Sequence, residues 1–439
     1  MSELYLKLPR FMQNLALSIY GLLMHLQRFG GSIPKSYKDI KSCFDGNDDE
    51  LKSQQEKRFA ELIEHAARFV PYYRRLLLEK NLSPSEITLA NYTQYFPILN
   101  KQDIIACPSD FFSEAALPSV ELHTSGSTGS PMTIKASLES RRINYHYYFL
   151  LLKDYGLSYK SKSTTFAGRI ICRDTKHGAA RYDRWNNTQY LSSYLLDEQS
   201  TEVYLDALNQ WQPLFIDSYP SVLIEFVDFC LSKNIQLNFK PKLIITSSET
   251  LPENQREKLM AFFGCTVVDH YGCSEMAVSA YFDGHAYSIH PLYALVELLP
   301  IGDNRNSVIT TGLINFAMPL IRYDIGDVVI TGNDNKILSI EGRADDVIIT
   351  PEGRHIGRMD PVFKGVEGIR MAQIIQHKIN MIEVKIVLMN NNKPIDEKKL
   401  IANIKARTSD IIDVNMAYQD EIPRSNSGKF RAVVNLIKN

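Results

Sequence analysis

The chain has 439 residues, 44% hydrophobic and 23% charged, which is the balance of a soluble globular protein and too long for one ordinary core, so two or three domains are expected. Its 49 basic and 50 acidic residues leave a formal net charge of -1, which removes any general electrostatic case for nucleic-acid binding. Six cysteines (Cys43, Cys107, Cys172, Cys230, Cys265, Cys273) lie scattered without a CxxC pair, which argues against a zinc ribbon or a disulfide framework and points to a reducing, cytoplasmic setting.

In chain order, the first residues lack a charged start followed by an apolar core and a small-residue cleavage site, so no secretory signal is read. Residues 11–26 are apolar but interrupted by Gln13, Asn14, Ser18 and His25, and the run is too short to span a bilayer. It reads as an amphipathic helix packed on the domain rather than one lying on a membrane, because its polar face lacks the Lys/Arg density of surface-bound helices. Residues 50–80 carry helical spacing that breaks at Val70-Pro71, and Asn100 is placed to cap a helix. Residues 119–123 and 132–135 read as two strands joined by a loop; 137–155 is a helix capped near Ser137; 164–172 and 214–218 are strands; 220–233 is a helix with Leu223, Phe226, Val227 and Leu231 at three- and four-residue steps.

Residues 242–246, 252–263 and 265–269 form a strand-helix-strand unit of the kind found in parallel α/β sheets. Short strands at 286–289, 294–298, 307–311, 328–330 and 336–341 suggest an added β-rich region. The last portion, with strands at 371–377 and 383–388, a helix at 397–408 and a strand at 414–418, looks like a compact α+β module of its own.

Four clusters carry chemistry. The joining loop is His123-Thr124-Ser125-Gly126-Ser127-Thr128-Gly129-Ser130-Pro131. Glycine lets the backbone turn N–H groups inward and the hydroxyls add short neutral donors, so this loop can wrap an oligophosphate, which points to ATP. No Gly-Lys-Ser/Thr follows, so it is not a Walker A loop, and a Ser/Gly-rich surface turn is the plain alternative. In Asp269-His270-Tyr271-Gly272-Cys273-Ser274-Glu275, directly after an expected strand, a Tyr can stack on a purine, Gly272 permits close approach and Glu275 can bind the Mg²⁺ that accompanies ATP, the alternative being a loop with a core-packing Tyr. In the third cluster, Asp327 suits the two hydroxyls of a ribose and Arg343 can reach phosphate with its planar fork, the alternative being a solvated salt bridge. The fourth, Pro423-Arg424-Ser425-Asn426-Ser427-Gly428-Lys429-Phe430-Arg431, presents Lys429 between two arginines; a solvated basic loop is its plain reading.

Together and in this order the clusters resemble the adenylate-forming superfamily of acyl-CoA synthetases, nonribosomal-peptide adenylation domains and luciferases, over roughly residues 90–435. The likeness is greatest to the phenylacetate-CoA ligase branch, and within it to CapK-like proteins of capsular-polysaccharide gene clusters. Val70-Pro71-Tyr72-Tyr73, Pro97-Ile98-Leu99-Asn100-Lys101, the Asp-x-Tyr-Gly-x-Ser-Glu form of the second cluster, Gln373-Ile374-Ile375-Gln376 and the opening Leu8-Pro9 with Gln13-Asn14-Leu15 carry it. The resemblance implies a large α/β domain over 1–342 with a β-rich subdomain, and a small mobile α+β lid over 343–439 that rotates about Asp345-Asp346. It implies that Thr124, Ser125, Gly126, Ser127, Thr128 and Gly129 cradle the β- and γ-phosphates and that Ser248, Glu249 and Tyr271 line the adenine. Asp269, Gly272 and Ser274 complete the nucleotide site, Glu275 ligates Mg²⁺, Asp327 holds the ribose, and Arg343 lies near ribose and phosphate. Lys429 enters during adenylation to bind the carboxylate and α-phosphate oxygens.

The chemistry implied is attack of a substrate carboxylate on the α-phosphorus of ATP, giving an acyl-adenylate and pyrophosphate, then acyl transfer to an amine on an amino sugar or amino acid in polysaccharide decoration. CoA is the rival acceptor, and a non-catalytic nucleotide-binding scaffold is a reading of another class. Two departures bear on this. Met132 stands where many relatives have Lys, as in the phenylacetate branch, and Pro351-Glu352-Gly353-Arg354-His355 differs from the glycine-rich loop that contacts CoA in synthetases. The Cys-rich zinc site of some relatives has no counterpart, so no structural metal is expected. Arg141, Arg142, Phe166, Arg169, Asp217 and Tyr219 are candidates for the acid pocket, His123 and His270 read equally as substrate contacts or structural residues, and Cys273 reads as a packing residue. Expected partners are a small carboxylic acid and an amine or CoA, without nucleic acid or a transmembrane segment; association with a membrane periphery or polysaccharide machinery stays open.

Overall fold

A computed structural model describes residues 3–31, 48–123, 132–168, 170–176, 178–302, 304–332, 334, 336–343, 347–353, 355–356, 359–363, 365–389, 394–424 and 429–437. Helices α1 (Glu3–Lys7) and α2 (Arg10–Phe29) open it, followed by α3 (Asp48–Phe69) and α4 (Pro71–Glu79). The break between the last two falls at Val70, which is extended at φ -113° and ψ 114°, because the ring of a following proline disfavours helical backbone before it. A short helix, Lys101–Ala106, starts at Asn100 through a reciprocal capping box in which the Asn100 N–H donates to Asp103 Oδ2 at 2.9 Å.

Strands β1 (Ser119–His123) and β2 (Thr133–Ser137) form an antiparallel hairpin that pairs His123 with Thr133. The Ser/Gly run expected to join these strands, residues 124–131, lies outside the described residues. Helix α5 (Leu138–Asp154) follows, capped by the Ser137 hydroxyl, which accepts the Ser140 N–H at 3.0 Å.

The main layer is one continuous sheet. β3 (Ser163–Ala167), β4 (Arg181–Asp183), β5 (Thr188–Ser192), β6 (Phe215–Ser218), β7 (Leu243–Ser247) and β8 (Thr266–Gly272) alternate in part with α6 (Thr201–Trp211), α7 (Pro220–Ser232) and α8 (Glu253–Phe263). β5, β3, β6, β7 and β8 run parallel, with β4 antiparallel at the edge. Phe226, Leu259 and Phe263 from the helices pack on Ile216 and Ile244 of the strands, as expected where parallel strands are buried under crossover helices.

One sequence expectation changes here: the strand expected to stop at Asp269 runs on to Gly272, because its last residues pair antiparallel with β9 (Ser279–Phe282), Tyr271 opposite Ala280. The added β-rich region is present and continues the same sheet through β10 (Tyr287–Ile289), β11 (Ala294–Gly302), β12 (Arg305–Gly312), β13 (Tyr323–Thr331) and β14 (Ile337–Arg343). Among the described residues this gives a twelve-stranded sheet of order β11-β12-β13-β14-β10-β9-β8-β7-β6-β3-β5-β4.

Beyond it, β15 (Ile348–Ile349) and β16 (His355–Ile356) form a small hairpin, and β17 (Ile369–Lys378), β18 (Met381–Leu388), α9 (Glu397–Arg407), β19 (Asp413–Tyr418) and β20 (Val433–Asn435) build a second sheet of order β19-β18-β17-β20. Ile374, Ile382, Val384, Leu400 and Ile404 give this part its own core. Gln376, fully buried, ties the hairpin to the sheet: its Oε1 accepts the Ile349 N–H at 2.8 Å and its Nε2 donates to Ile349 O at 2.6 Å. Strand β20, parallel to β17, was not foreseen, because three residues after a basic loop carry no periodic signal.

The helix expected over 11–26 forms as α2 but turns its polar residues inward. It covers the edge strand β4, whose free backbone groups need polar partners: Asn14 Oδ1 accepts the Tyr182 N–H at 3.0 Å, Ser18 Oγ the Arg184 N–H at 2.9 Å, and Gln13 Oε1 accepts from Arg181 Nε. Gly21 lets the helix touch the strand, since a Cβ there would sit 1.9 Å from Asp183 Oδ2.

Candidate functional site

The carboxyl ends of β6, β7 and β8 lie side by side, with Ser218 opposite Thr246 and Ser247 opposite His270. Here the sheet changes from parallel to antiparallel between β8 and β9, and the crevice beyond such strand ends is where open α/β sheets take ligands. The second and third sequence clusters meet at this point.

On β8, Tyr271 is buried and its hydroxyl donates to Asp327 Oδ2 at 2.8 Å. Asp327 lies on β13 directly opposite Arg343 of β14, so residues 56 and 72 positions from Tyr271 come together through strand pairing alone. Glu275, buried just past β8, accepts the Tyr323 hydroxyl at 3.3 Å on Oε1. Gly272 and Ser274 are exposed; a Cβ on Gly272 would come within 3.0 Å of the His270 ring.

Asp269 has a different setting. Both its oxygens are engaged within the sheet, Oδ1 by the Thr246 hydroxyl at 2.6 Å and Oδ2 by the Tyr287 hydroxyl at 2.5 Å, while burial pushes its carboxyl upward from the usual range. It is placed to fix β7, β8 and β10 behind the motif. His270 stacks on Tyr281 at 4.7 Å and meets Ser279 Oγ at 3.2 Å, and burial lowers its imidazole to about 4; it is a neutral structural group. Burial likewise raises the Cys273 thiol, whose Sγ accepts the Ala277 N–H at 3.4 Å.

After β7 the chain turns through Ser248, a non-glycine residue at φ +72°, and this left-handed step aims Glu249 at the start of α7. Glu249 Oε2 accepts the Ser221 N–H at 3.0 Å, one of the free donors of that helix end. Its Oε1 accepts the Phe430 N–H at 2.7 Å. Burial raises the Glu249 carboxyl, an effect that these N–H donors partly offset. Through that bond the residue next to Lys429 rests against the crevice of the large sheet. Lys429 itself is half-buried.

A second contact reinforces the first. Arg424 donates to Ser221 Oγ at 2.7 Å and to Glu225 Oε2 at 2.9 Å, while Arg370 of β17 stands 3.8 Å from Glu225 Oε1 and 5.4 Å over the Phe229 ring. Arg424 and Glu225 are 8% and 11% exposed, which makes this a buried pair. Sequence reasoning missed Glu225 and Arg370, since a Glu on an amphipathic helix and an Arg starting a strand read as solvated; only the partner across the interface marks them.

Of the acid-pocket candidates, Asp217 is pushed up to about 6 by burial and accepts the Tyr148 hydroxyl at 3.5 Å. Phe166 does not line an opening: it is core, packed on Tyr204 and Phe226, because alternate residues of a central strand face its covering helices. Arg169 lies outside the described residues. A cavity of about 470 Å³ beside the base of the β1–β2 hairpin, lined by Arg58, His65, Ser137, Glu139, Arg142 and Phe316 among others, shares none of the motif residues. Among the described residues no cluster of three or more His, Cys, Asp or Glu forms a ready metal site, and no helix is long and apolar enough to cross a membrane.

Comparison with known proteins bears on the fold. Residues 348–436 match the family model of the CapK C-terminal domain. Over 457 aligned residues, covering 100% of both chains, the sequence is 28% identical to Protein CapK of Staphylococcus aureus. A solved 2-hydroxyisobutyryl-CoA ligase in the postadenylation state, in complex with 2-HIB-AMP, superposes with a TM-score of 0.65 at 16% identity over 86% of this chain and 88% of that one. The same ligase with 2-HIB-AMP and CoA in the thioesterification state gives 0.53 at 16% identity over 89% and 90%. The chain is thus similar to Protein CapK over its whole length, carries a match to the CapK C-terminal domain, and has the fold seen in solved adenylate-forming CoA ligases.

Proposed function

We propose that this protein is a ligase that activates a carboxylic acid with ATP as an acyl-adenylate, releasing pyrophosphate, and passes the acyl group to an amine of an amino sugar or amino acid in cell-surface polysaccharide assembly. The observation that carries the reading is the convergence of separate motifs on one crevice: Tyr271 on Asp327, Asp327 opposite Arg343, and the Lys429-Phe430 segment bonded to Glu249. The 28% identity to Protein CapK over the full length supports the polysaccharide setting. Thioester formation with CoA is the second reading, favoured by the CoA ligases that share the fold. Free cysteines among the described residues accord with a cytoplasmic site of action.

The protein need supply no general base, since a carboxylate is already ionised at neutral pH. Its residues instead position that anion in line and offset charge on the phosphates. Asp327 accepts the ribose hydroxyls from a position fixed by the Tyr271 hydroxyl. The hydroxyls and N–H groups of residues 124–129 hold the departing pyrophosphate, and Ser248, Glu249 and Tyr271 border the base. Arg343 and Lys429 meet the phosphate and carboxylate oxygens. Glu275 suits Mg²⁺, because one buried carboxylate beside phosphate oxygens is a donor set this ion accepts; bound there, the ion would neutralise phosphate charge. The large and small parts, divided near residue 342, would move about residues 345–346 so that Lys429 withdraws before the acceptor enters.

Purified protein with ATP, hydroxylamine and a panel of carboxylic acids should release pyrophosphate with at least one acid; silence across a broad panel would overturn the reading. Adding amine acceptors or CoA separates the two transfers, since an acyl-CoA product sinks the amine acceptor. Lys429→Ala should lower pyrophosphate release on the order of 100-fold or more while ATP binding persists. Unchanged release in that variant would remove Lys429 from the adenylation step, whereas ATP binding without release from either protein would leave only a nucleotide-binding module.

A further inference from the structure

We infer that α1 and α2 form a docking surface for an anionic membrane, on which the protein lies without crossing it. The inward face of α2 is committed: Gln13, Leu17 and Gly21 are buried, and Asn14 and Ser18 bond to the β4 segment. This fixes the rotation of the helix and turns its apolar residues outward. Phe11, Leu15, Ile19, Leu23 and Leu26, spaced by three or four residues, are 71, 58, 54, 53 and 54% exposed, and Leu4 of α1 is 71% exposed. Lone exposed apolar side chains are ordinary on a protein surface, but a continuous stripe along a whole helix marks an interaction site.

Charge and aromatic residues around the stripe select the occupant. From Leu4 to Gly31 the sequence has no Asp or Glu, Glu3 being the one acidic residue of the two helices, and it has exposed Lys7 and Arg10, while Arg28 lies 4.2 Å over the Tyr145 ring. The neighbouring loops add exposed Lys160, Arg173, Lys176 and Arg184 against exposed Asp174. Asp183 adds no surface charge, being buried and bonded to the Trp185 and Asn186 N–H groups at 2.9 and 3.1 Å. At the far end of α2, Tyr159 stacks on Phe29 at 4.6 Å, Trp185 lies 6.0 Å from the His25 ring, and Lys160 Nζ sits 4.6 Å over the Trp185 ring. An apolar helix face rimmed by Trp, Tyr and cations is what an interface between acyl chains and acidic headgroups accepts. A second copy fits less well, since a twofold contact would set two basic rims against each other. The basic groups that residues 11–26 lack come from elements distant in sequence, which is why the helix alone reads otherwise.

The test is flotation of the full chain with vesicles of phosphatidylcholine alone and of phosphatidylcholine and phosphatidylglycerol in equal parts. The protein should float with the mixed vesicles and much less with the neutral ones. Leu15→Glu, Ile19→Glu and Leu23→Glu together should cut the bound fraction at least about tenfold without changing the melting temperature, and Lys160→Glu with Arg184→Glu should remove the preference for phosphatidylglycerol. Trp185 emission should shift to the blue on the mixed vesicles, against a constant background from buried Trp211. If the triple variant does not fold, Ile19→Glu alone and the Trp185 shift decide. No flotation with either vesicle, flotation indifferent to the stripe variants, or a stable dimer that those variants turn into monomer would each overturn the proposal. None of these readouts depends on adenylate formation.

Discussion

Tyr271 and Asp327 could be chosen from the sequence as residue types suited to a purine and a ribose, but not as a bonded pair. The hydroxyl-to-carboxylate bond of 2.8 Å exists because β8 and β13 belong to one sheet, and nothing local to either residue reports that. The same holds for His270 and His290, whose neutrality follows from burial. Both imidazoles lie at about 4, and His290 Nδ1 accepts the Leu292 N–H at 3.0 Å, a bond that protonation would break. An unfolded chain takes up protons near the ordinary value of about 6.5, so between 6.5 and 4 it binds protons that the folded state refuses. This part of the stability is complete above pH 6.5 and is lost as the pH falls toward 4, roughly 3 kcal/mol for each residue at about 1.4 kcal/mol per pH unit. Asp217, raised to about 6, acts in the opposite sense: the folded state keeps a proton that the unfolded state has released, which adds stability as the pH falls from 6 to about 4 and offsets about one histidine. Asp269, Glu249 and Glu225, raised by burial as well, act in the same sense as Asp217, so the histidine is read by difference: between pH 6.5 and pH 4 His270→Gln should lose less thermal stability than the unaltered protein, and identical profiles in the two would contradict the assignment.

At the scale of elements, what was legible was what rests on local chemistry. The break at Pro71, the Asn100 capping box and the Ser137 cap stand where the sequence puts them, because each depends on residues within one helical turn. The extent of β8 and the existence of β20 depend on partners far along the chain, so they were not. Periodicity in α2 named the residues that share a face but not which face turns inward, which the unpaired edge of β4 decides. Gly21 is the pivot of that contact. Replacing it with Ala would favour the isolated helix by up to about 1 kcal/mol, yet the added Cβ would lie 1.9 Å from Asp183 Oδ2. Asp183 cannot yield easily, since it also holds the Asn186 amide at 2.6 Å and two N–H groups of the following turn. The clash, worth about 1–3 kcal/mol, should win. Gly21→Ala is expected to speed hydrogen exchange in both α2 and β4, and slower or unchanged exchange would show that the helix is held elsewhere.

For the whole molecule, the large sheet and the small module meet, among the described residues, through charged side chains of α7 and the small module. Glu225 sits between Arg424 and Arg370; burial raises its carboxyl and the two guanidiniums partly bring it back. The sequence held all three residues but could not align them, because the pairing belongs to one arrangement of the two parts. Glu225→Ala would leave Arg424 and Arg370 without their carboxylate, and a buried charge stripped of its partner costs several kcal/mol unless water can reach it. Swinging the module away supplies that water, so the variant should favour the open arrangement. Small-angle scattering should give a larger radius of gyration, and pyrophosphate release should fall at least about tenfold, because Lys429 is withdrawn together with the Phe430–Glu249 bond. Melting of the large sheet should stay put, since its core does not involve these side chains. A variant with unaltered radius and undiminished pyrophosphate release would mean that the Glu249 contact alone holds the module, and Glu249→Gln would then be the substitution that opens it.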